Sequence, residues 1–191
     1  FQNFASADDP GSSQTLSQLG AFASAVRALR AAGLDPGVLH VGNSAGTLLP
    51  REWPGDLPGP HRARPGLALY APFPGVFEDL EDAMAFVSVI DQVKVVPAGA
   101  RVGYGGTFVA ERETRVGIVP AGYADGVPRS LSGRGRVLVD GAEAPILGRV
   151  SMDLTAVDLT DLSPAPAPGA EVLFFGEHGG ARLPVADTAE R

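Results

Sequence analysis

The spacing of apolar positions changes once along the chain. From Thr15 onward, Leu16, Leu19, Phe22, Ala23, Val26 and Leu29 recur at steps of three and four, which predicts an amphipathic helix. Asp8 to Ser13 is a turn-rich linker before it. Gly33 closes the helix, and Arg27 and Arg30 place positive charge near the negative end of its dipole. Val38-Leu-His-Val41 then reads as a short buried strand that runs into a loop of small residues, Gly42-Asn-Ser-Ala-Gly46. Helix, strand and small-residue loop form an α/β unit, in which ligands gather at the carboxyl ends of strands. Pro50 to Pro60 reads as an irregular surface loop around Trp53, and Arg64 stands directly before Pro65 at the start of an apolar strand.

Beyond Pro72 to Asp82, a segment of prolines, glycine and acidic residues, the helical period is gone. A domain boundary is expected there, with residues 1–75 on one side and 76–191 on the other. Ser88 to Val96 alternates as one long strand with Lys94 on one face. Short β-branched runs separated by turn residues follow at Val116–Val119, Arg136–Val139, Pro145–Gly148 and Val172–Phe175, as in an all-β barrel or sandwich. Asp161 to Gly169 is a proline-alanine turn region. The expected fold class is therefore α/β followed by all-β.

Three glycine-punctuated segments carry the candidate chemistry: Val102-Gly-Tyr-Gly-Gly106, Ala121-Gly-Tyr-Ala-Asp-Gly126 and Gly148-Arg-Val-Ser-Met-Asp153. Tyr104 and Tyr123 each sit among glycines at expected strand ends, so little bulk hinders either phenol. Each is open to two readings, a turn residue with a hydrogen-bonded hydroxyl or a reactive group. Ser44 and the amides around it could hold phosphate oxygens, or Asn43 or Ser44 could simply cap a helix. His40 is a core histidine or a site residue. Arg64 belongs to a surface ion pair, or donates to a ring nitrogen or an anion. Asp153, Asp158 and Asp161 come without histidines, so no metal is expected.

Composition narrows the partners. The chain has 191 residues, 45% of them hydrophobic, enough for a packed core. Its 22 acidic and 15 basic residues give a formal charge of -7, which argues against binding nucleic acid through a basic surface. There is no cysteine, hence no disulfide, thiolate metal site or cysteine nucleophile. No apolar run reaches the roughly 20 residues that span a bilayer, and no leader pattern opens the chain, so no membrane partner and a soluble, cytoplasmic protein are expected. Lys94 is the only lysine. The opening Phe1-Gln-Asn-Phe lacks a methionine, which suggests a fragment.

Together, His40-Val-Gly-Asn-Ser44, Arg64-Pro-Gly-Leu-Ala-Leu-Tyr70, Val102-Gly-Tyr-Gly105, Gly122-Tyr-Ala-Asp-Gly126 and Gly148-Arg-Val-Ser-Met-Asp153 resemble the pyridoxal-phosphate-dependent alanine racemases. The resemblance covers nearly the whole chain, in order and at family-like separations. It implies the late strands and helices of a TIM-type (β/α) barrel, then a mostly β carboxyl-terminal domain. It also implies a homodimer in which the β domain of one subunit completes the active site of the other, with L- and D-alanine as substrates and D-alanine destined for peptidoglycan. By position, Tyr104 matches the catalytic tyrosine that exchanges a proton with the α-carbon opposite a lysine base. Arg64 matches the arginine facing the pyridine nitrogen, and His40 the histidine that supports it. Ser44 and the amides of Gly66 and Leu67 match the phosphate cradle. Met152 matches the residue whose main-chain amide meets the substrate carboxylate, and Tyr123 a tyrosine lining the entrance.

The sequence departs from the family pattern in three places. The segment with the Schiff-base lysine is not in this chain, and Lys94 lies outside every family motif, so the chain is expected to be the carboxyl-terminal portion of a racemase, inactive alone. Asn3 stands where a histidine hydrogen-bonded to the catalytic tyrosine is expected; an amide can bond a phenol but cannot titrate. Gly103 replaces the usual serine. The competing reading is a catalytically silent relative that keeps the fold as a binding or interaction module.

Overall fold

The computed structural model describes residues 1–48, 56, 62–70, 80–185 and 187. Most of the Pro50–Pro60 loop with Trp53, most of the Pro72–Asp82 segment and most of the closing Val185–Glu190 stretch lie outside the described residues. The chain divides into two compact units, Phe1–Glu81 and Asp82–Arg191.

In the first unit the helical period produces α1 (Ser13–Ala31), which buries Thr15, Leu19, Ala23 and Val26 on one stripe. Its end is a Schellman motif. Gly33 takes φ 73°, its N–H donates to Arg30 O, and the Leu34 N–H donates to Leu29 O. Gln2 bridges Val41, and His40 bridges Arg62, both in parallel. Three segments therefore lie side by side, and α1 connects the first two. Their carboxyl ends lead to Asn3, to Gly42 and α2 (Ser44–Leu48), and to Arg64. Phe4, Leu19, Val41 and Ala45 pack beneath them.

Two details differ from expectation. Pairing within Val38–Val41 is confined to His40 and Val41, and Val38 is exposed. Arg64 sits at the end of its paired segment rather than the start, and Leu67–Leu69 is a 3-10 turn instead of a strand. The Arg64 N–H makes the last rung, to Gly42 O, after which the Gly66 N–H turns back onto Arg64 O at 2.9 Å. Leu67 and Leu69 are then exposed, and among the described residues they pair with no strand.

The second unit is a curled antiparallel sheet. Its strands are β1 (Phe86–Val89), β2 (Gln92–Val96), β3 (Arg101–Val102), β4 (Phe108–Val109), β5 (Thr114–Val119), β6 (Arg136–Val139), β7 (Ala142–Leu147), β8 (Thr155–Asp158), β9 (Glu171–His178) and β10 (Ala181–Leu183). The pairing path is β1-β9-β6-β7-β8-β5-β2, with β10 on β9 and β3 paired to β4. The expected long strand 88–96 is two strands. It breaks at Ile90 and Asp91, where the Ile90 N–H donates to Ala170 O and the Asp91 N–H to Ile118 O. One bent segment thus supplies both ends of the path and brings them together, which a straight strand could not do. Ile90, Val119, Val137, Val157, Leu159 and Val172 fill the interior and are fully buried. Asp140 and Gly141, both at positive φ, form the two-residue hairpin between β6 and β7.

Candidate functional site

In the second unit, three loops converge because their glycines permit it. Gly103 precedes a 3-10 turn, Tyr104–Gly106, between β3 and β4. A side chain on Gly148 would lie 2.6 Å from Val102 O, and one on Gly103, at φ 76°, would lie 3.2 Å from the Arg149 nitrogen. A side chain on Gly122 would come within 2.4 Å of Ser151 O. These are backbone contacts, so no rotamer change relieves them. Across that close approach the Tyr123 N–H donates to Ser151 O and the Ala124 N–H to Met152 O, both at 3.0 Å.

The result is a depression of about 470 Å³ lined by Gly103, Tyr104, Ser151, Met152, Asp153 and Leu154. Tyr104 is 71% exposed and Met152 54% exposed, so phenol and loop both open to solvent. Among the described residues the Met152 N–H meets no acceptor, whereas its neighbour Ser151 donates to Leu154 O at 2.9 Å. Tyr123 stands beside this group outside the lining, with the Arg129 guanidinium 5.3 Å over its ring. Tyr104 and Met152 are thus brought together, with Tyr123 on the adjacent 121–126 loop whose amides bond Ser151 O and Met152 O.

In the first unit, Arg64 is the hub. Its Nη1 lies 3.0 Å from His40 Nδ1 and donates to His40 O at 3.2 Å, while Nη2 donates to Gln2 O at 2.7 Å. Nη2 also reaches Asn3 Oδ1 at 3.5 Å. Phe1 stacks on the His40 ring at 5.6 Å and lies 5.2 Å beneath the Arg64 guanidinium. Partial burial, together with neighbouring positive charge that includes Arg64 and Arg62, holds His40 below the usual imidazole range. A neutral His40 can then accept from Arg64 at Nδ1, which places its proton on Nε2.

Ser44 is buried at the start of α2, and its hydroxyl accepts the Ala68 N–H at 3.1 Å. Asn43 supplies the helix cap, since its Oδ1 accepts the Gly46 N–H at 3.1 Å. Among the described residues, the Ser44 proton, the Leu67 N–H and Arg64 Nε meet no acceptor. A side chain on Gly66 would find nothing within 4 Å. Lys94 lies exposed on β2, paired with Val116. Among the described residues no group of three or more His, Asp or Glu could hold a metal ion, and no helix is long and apolar enough to cross a membrane.

Two residues that sequence reasoning passed over hold the second cluster together. The fully buried Thr155 hydroxyl donates to Ala121 O at 2.7 Å. Ser132 accepts the Val150 N–H at 3.1 Å. Their partners are 34 and 18 residues away, so no local pattern marks them.

Comparison with known proteins follows the same division. Residues 1–74 match the family model for the alanine racemase N-terminal domain, and residues 83–191 that for the C-terminal domain. The chain belongs to the alanine racemase family. An alanine racemase of Syntrophobacter fumaroxidans is 43% identical over 100% of this chain and 50% of its own length. A catabolic alanine racemase of Rhizobium johnstonii is 43% identical over 93% of the chain and 45% of its own. Among solved structures, alanine racemase from Streptomyces lavendulae superposes with TM-score 0.83 at 39% identity, covering 98% of this chain and 49% of that one. The Bartonella henselae alanine racemase, solved with covalently bound pyridoxal phosphate, gives 0.78 at 32% identity, over 97% and 48%. The chain spans about half the length of the curated relatives it matches. As an alanine racemase family member it combines part of a TIM-type (β/α) barrel with the family's β domain, the expected fold class.

Proposed function

We propose that the protein carrying this chain is an alanine racemase that interconverts L- and D-alanine with pyridoxal 5'-phosphate. When bound, that cofactor supplies the electron sink that makes the substrate α-proton removable. The residues of the first unit fit it. Ser44 offers a hydroxyl proton and Leu67 an amide with no competing acceptor among the described residues, and Gly66 leaves open ground beside them for a phosphate. Arg64 keeps Nε–H for the ring nitrogen while His40, Gln2 and Asn3 hold its other nitrogens. A guanidinium donates hydrogen bonds without acting as an acid near neutral pH, so Arg64 would meet that nitrogen as a donor only.

In the second unit, Tyr104 takes or returns a proton at the substrate α-carbon through its exposed phenol oxygen. The Met152 N–H receives the substrate carboxylate, and Tyr123 narrows the approach to small substrates. A lysine outside this chain serves as the opposing base. Tyr104 works across the interface of a homodimer, in the cytoplasm, and the D-alanine supplies peptidoglycan.

The observation that carries this reading is that the Tyr104 phenol and the unbonded Met152 amide open onto one depression. The test is D-alanine formation from L-alanine by the complete gene product loaded with cofactor. Tyr104→Phe is expected to lower the rate by at least about 100-fold while the bound cofactor keeps its visible absorbance. A wild-type protein without racemisation, or a phenylalanine variant at full rate, rejects it.

A further inference from the structure

Ser132 ends the 3-10 turn Arg129–Leu131, and its hydroxyl gives its one proton to Arg129 O at 2.6 Å. Its lone pairs are therefore left to face the Val150 N–H at 3.1 Å. Val150 is 2% exposed, so water cannot replace that acceptor. Without the hydroxyl, the amide would be relieved only by moving the 148–153 loop. Met152 lies two residues further on. The other side of the loop is bonded by Tyr123 and Ala124, whose N–H groups reach Ser151 O and Met152 O. The loop is thus pinned from both sides, and the Met152 N–H points to no acceptor among the described residues.

We propose that Ser132 is a positioning residue that fixes the direction of the Met152 N–H and thereby sets the affinity of this loop for a carboxylate. The inference rests on reading the Met152 amide as the carboxylate site. Arg129 links the same turn to Tyr123 through its ring contact, so the turn that presents Ser132 also buttresses the neighbouring loop. Ser132 itself touches no reacting atom in this scheme. Its effect passes through Val150 to the peptide beyond.

The test uses the full chain with acetate as the carboxylate probe, read from the amide chemical shift of Met152. Ser132→Ala is expected to weaken acetate binding about three- to tenfold, the effect of one buried hydrogen bond. Ser132→Thr keeps the hydroxyl and restores binding. In the complete enzyme the same factor should appear in KM for L-alanine, with kcat nearly unchanged. Should Ser132→Ala not fold, Ser132→Cys carries the same expectation, because sulfur is a weak acceptor. Three results overturn the proposal: acetate affinity that ignores the substitution while the melting temperature falls, a threonine variant as weak as the alanine one, or no acetate response at Met152 in the wild type. Acetate binding that depends on Ser132 in a protein without racemase activity sinks the alanine reading alone and leaves the positioning role standing.

Discussion

A side chain built on Gly122 would lie 2.3 Å from the carbonyl oxygen of Met152. The two loops touch backbone to backbone, and the Ala124 N–H closes the contact onto the same oxygen. Gly122→Ala must therefore push the Met152 peptide away or break that bond. The expected cost is about 1–3 kcal/mol of stability, the usual range for overpacking, measured as a lower denaturant midpoint. Binding of a carboxylate at the loop should weaken in parallel. A variant as stable as the wild type would mean that the loops separate freely.

His40 makes the first unit sensitive to acid. The folded chain holds its imidazole below the ordinary range, through partial burial and nearby positive charge, and uses Nδ1 to accept from Arg64. The unfolded chain takes up a proton first, near the ordinary value of about 6.5. The stabilising contribution is thus complete above that pH and is lost as pH falls below it toward the depressed folded value. Thermal melts at a series of pH values should show a downward step in this window. His40→Gln should flatten the step, because it removes the titrating ring. An identical pH profile in the two proteins would exclude His40 as its source.

How legible all this was depends on the range of the interaction. The α1 helix, the Gly33 stop and strands β5, β6, β7 and β9 follow from local period and turn residues, which act over a few positions, although Leu16 and Leu29 of the expected apolar stripe are exposed. The break at Ile90 was not legible, since Ser88 to Val96 alternates without interruption and only pairing with two distant strands bends it. Leu67–Leu69 looked like a strand because it is apolar; its exposure follows from the turn at Gly66, a local geometry that hydrophobicity does not encode. At the site, glycines flagged where backbones meet, but which backbones meet is a tertiary fact. Gly148 faces Val102 and Gly122 faces Met152. Ser132 and Thr155 resemble any surface or strand hydroxyl in sequence and acquire their roles only from partners brought close by folding.

Thr155 gives the clearest buried hydrogen bond of the second unit. Its side chain is fully buried, and its hydroxyl is 2.7 Å from Ala121 O at the base of the Tyr123 loop. Thr155→Val keeps the shape and removes the donor, which leaves a buried carbonyl without that partner. The expected loss is about 1–3 kcal/mol, and amide exchange in residues 121–126 should accelerate. Thr155→Ser retains the hydroxyl and should lose less, mainly from the missing methyl group. Equal losses in the serine and valine variants would show that packing, not the hydrogen bond, holds the loop.

Lys94 is the one lysine in the chain, and so the one side chain here that could bind an aldehyde cofactor through its amine. Its surroundings do not favour that use. It stands exposed on β2 in register with Val116, outside the depression that Tyr104 and Met152 line. Lysines that form such bonds are typically desolvated in an apolar pocket, whereas Lys94 faces solvent. Lys94→Gln in the complete gene product should therefore leave the visible absorbance of bound cofactor intact and change the melting temperature little, since exposed substitutions stay within about 0.5 kcal/mol. Borohydride reduction followed by peptide mapping should label a lysine other than Lys94. A label on Lys94, or loss of the cofactor band in the glutamine variant, would place the cofactor in the β domain and remove the basis for assigning Ser44, Arg64 and Leu67 to it.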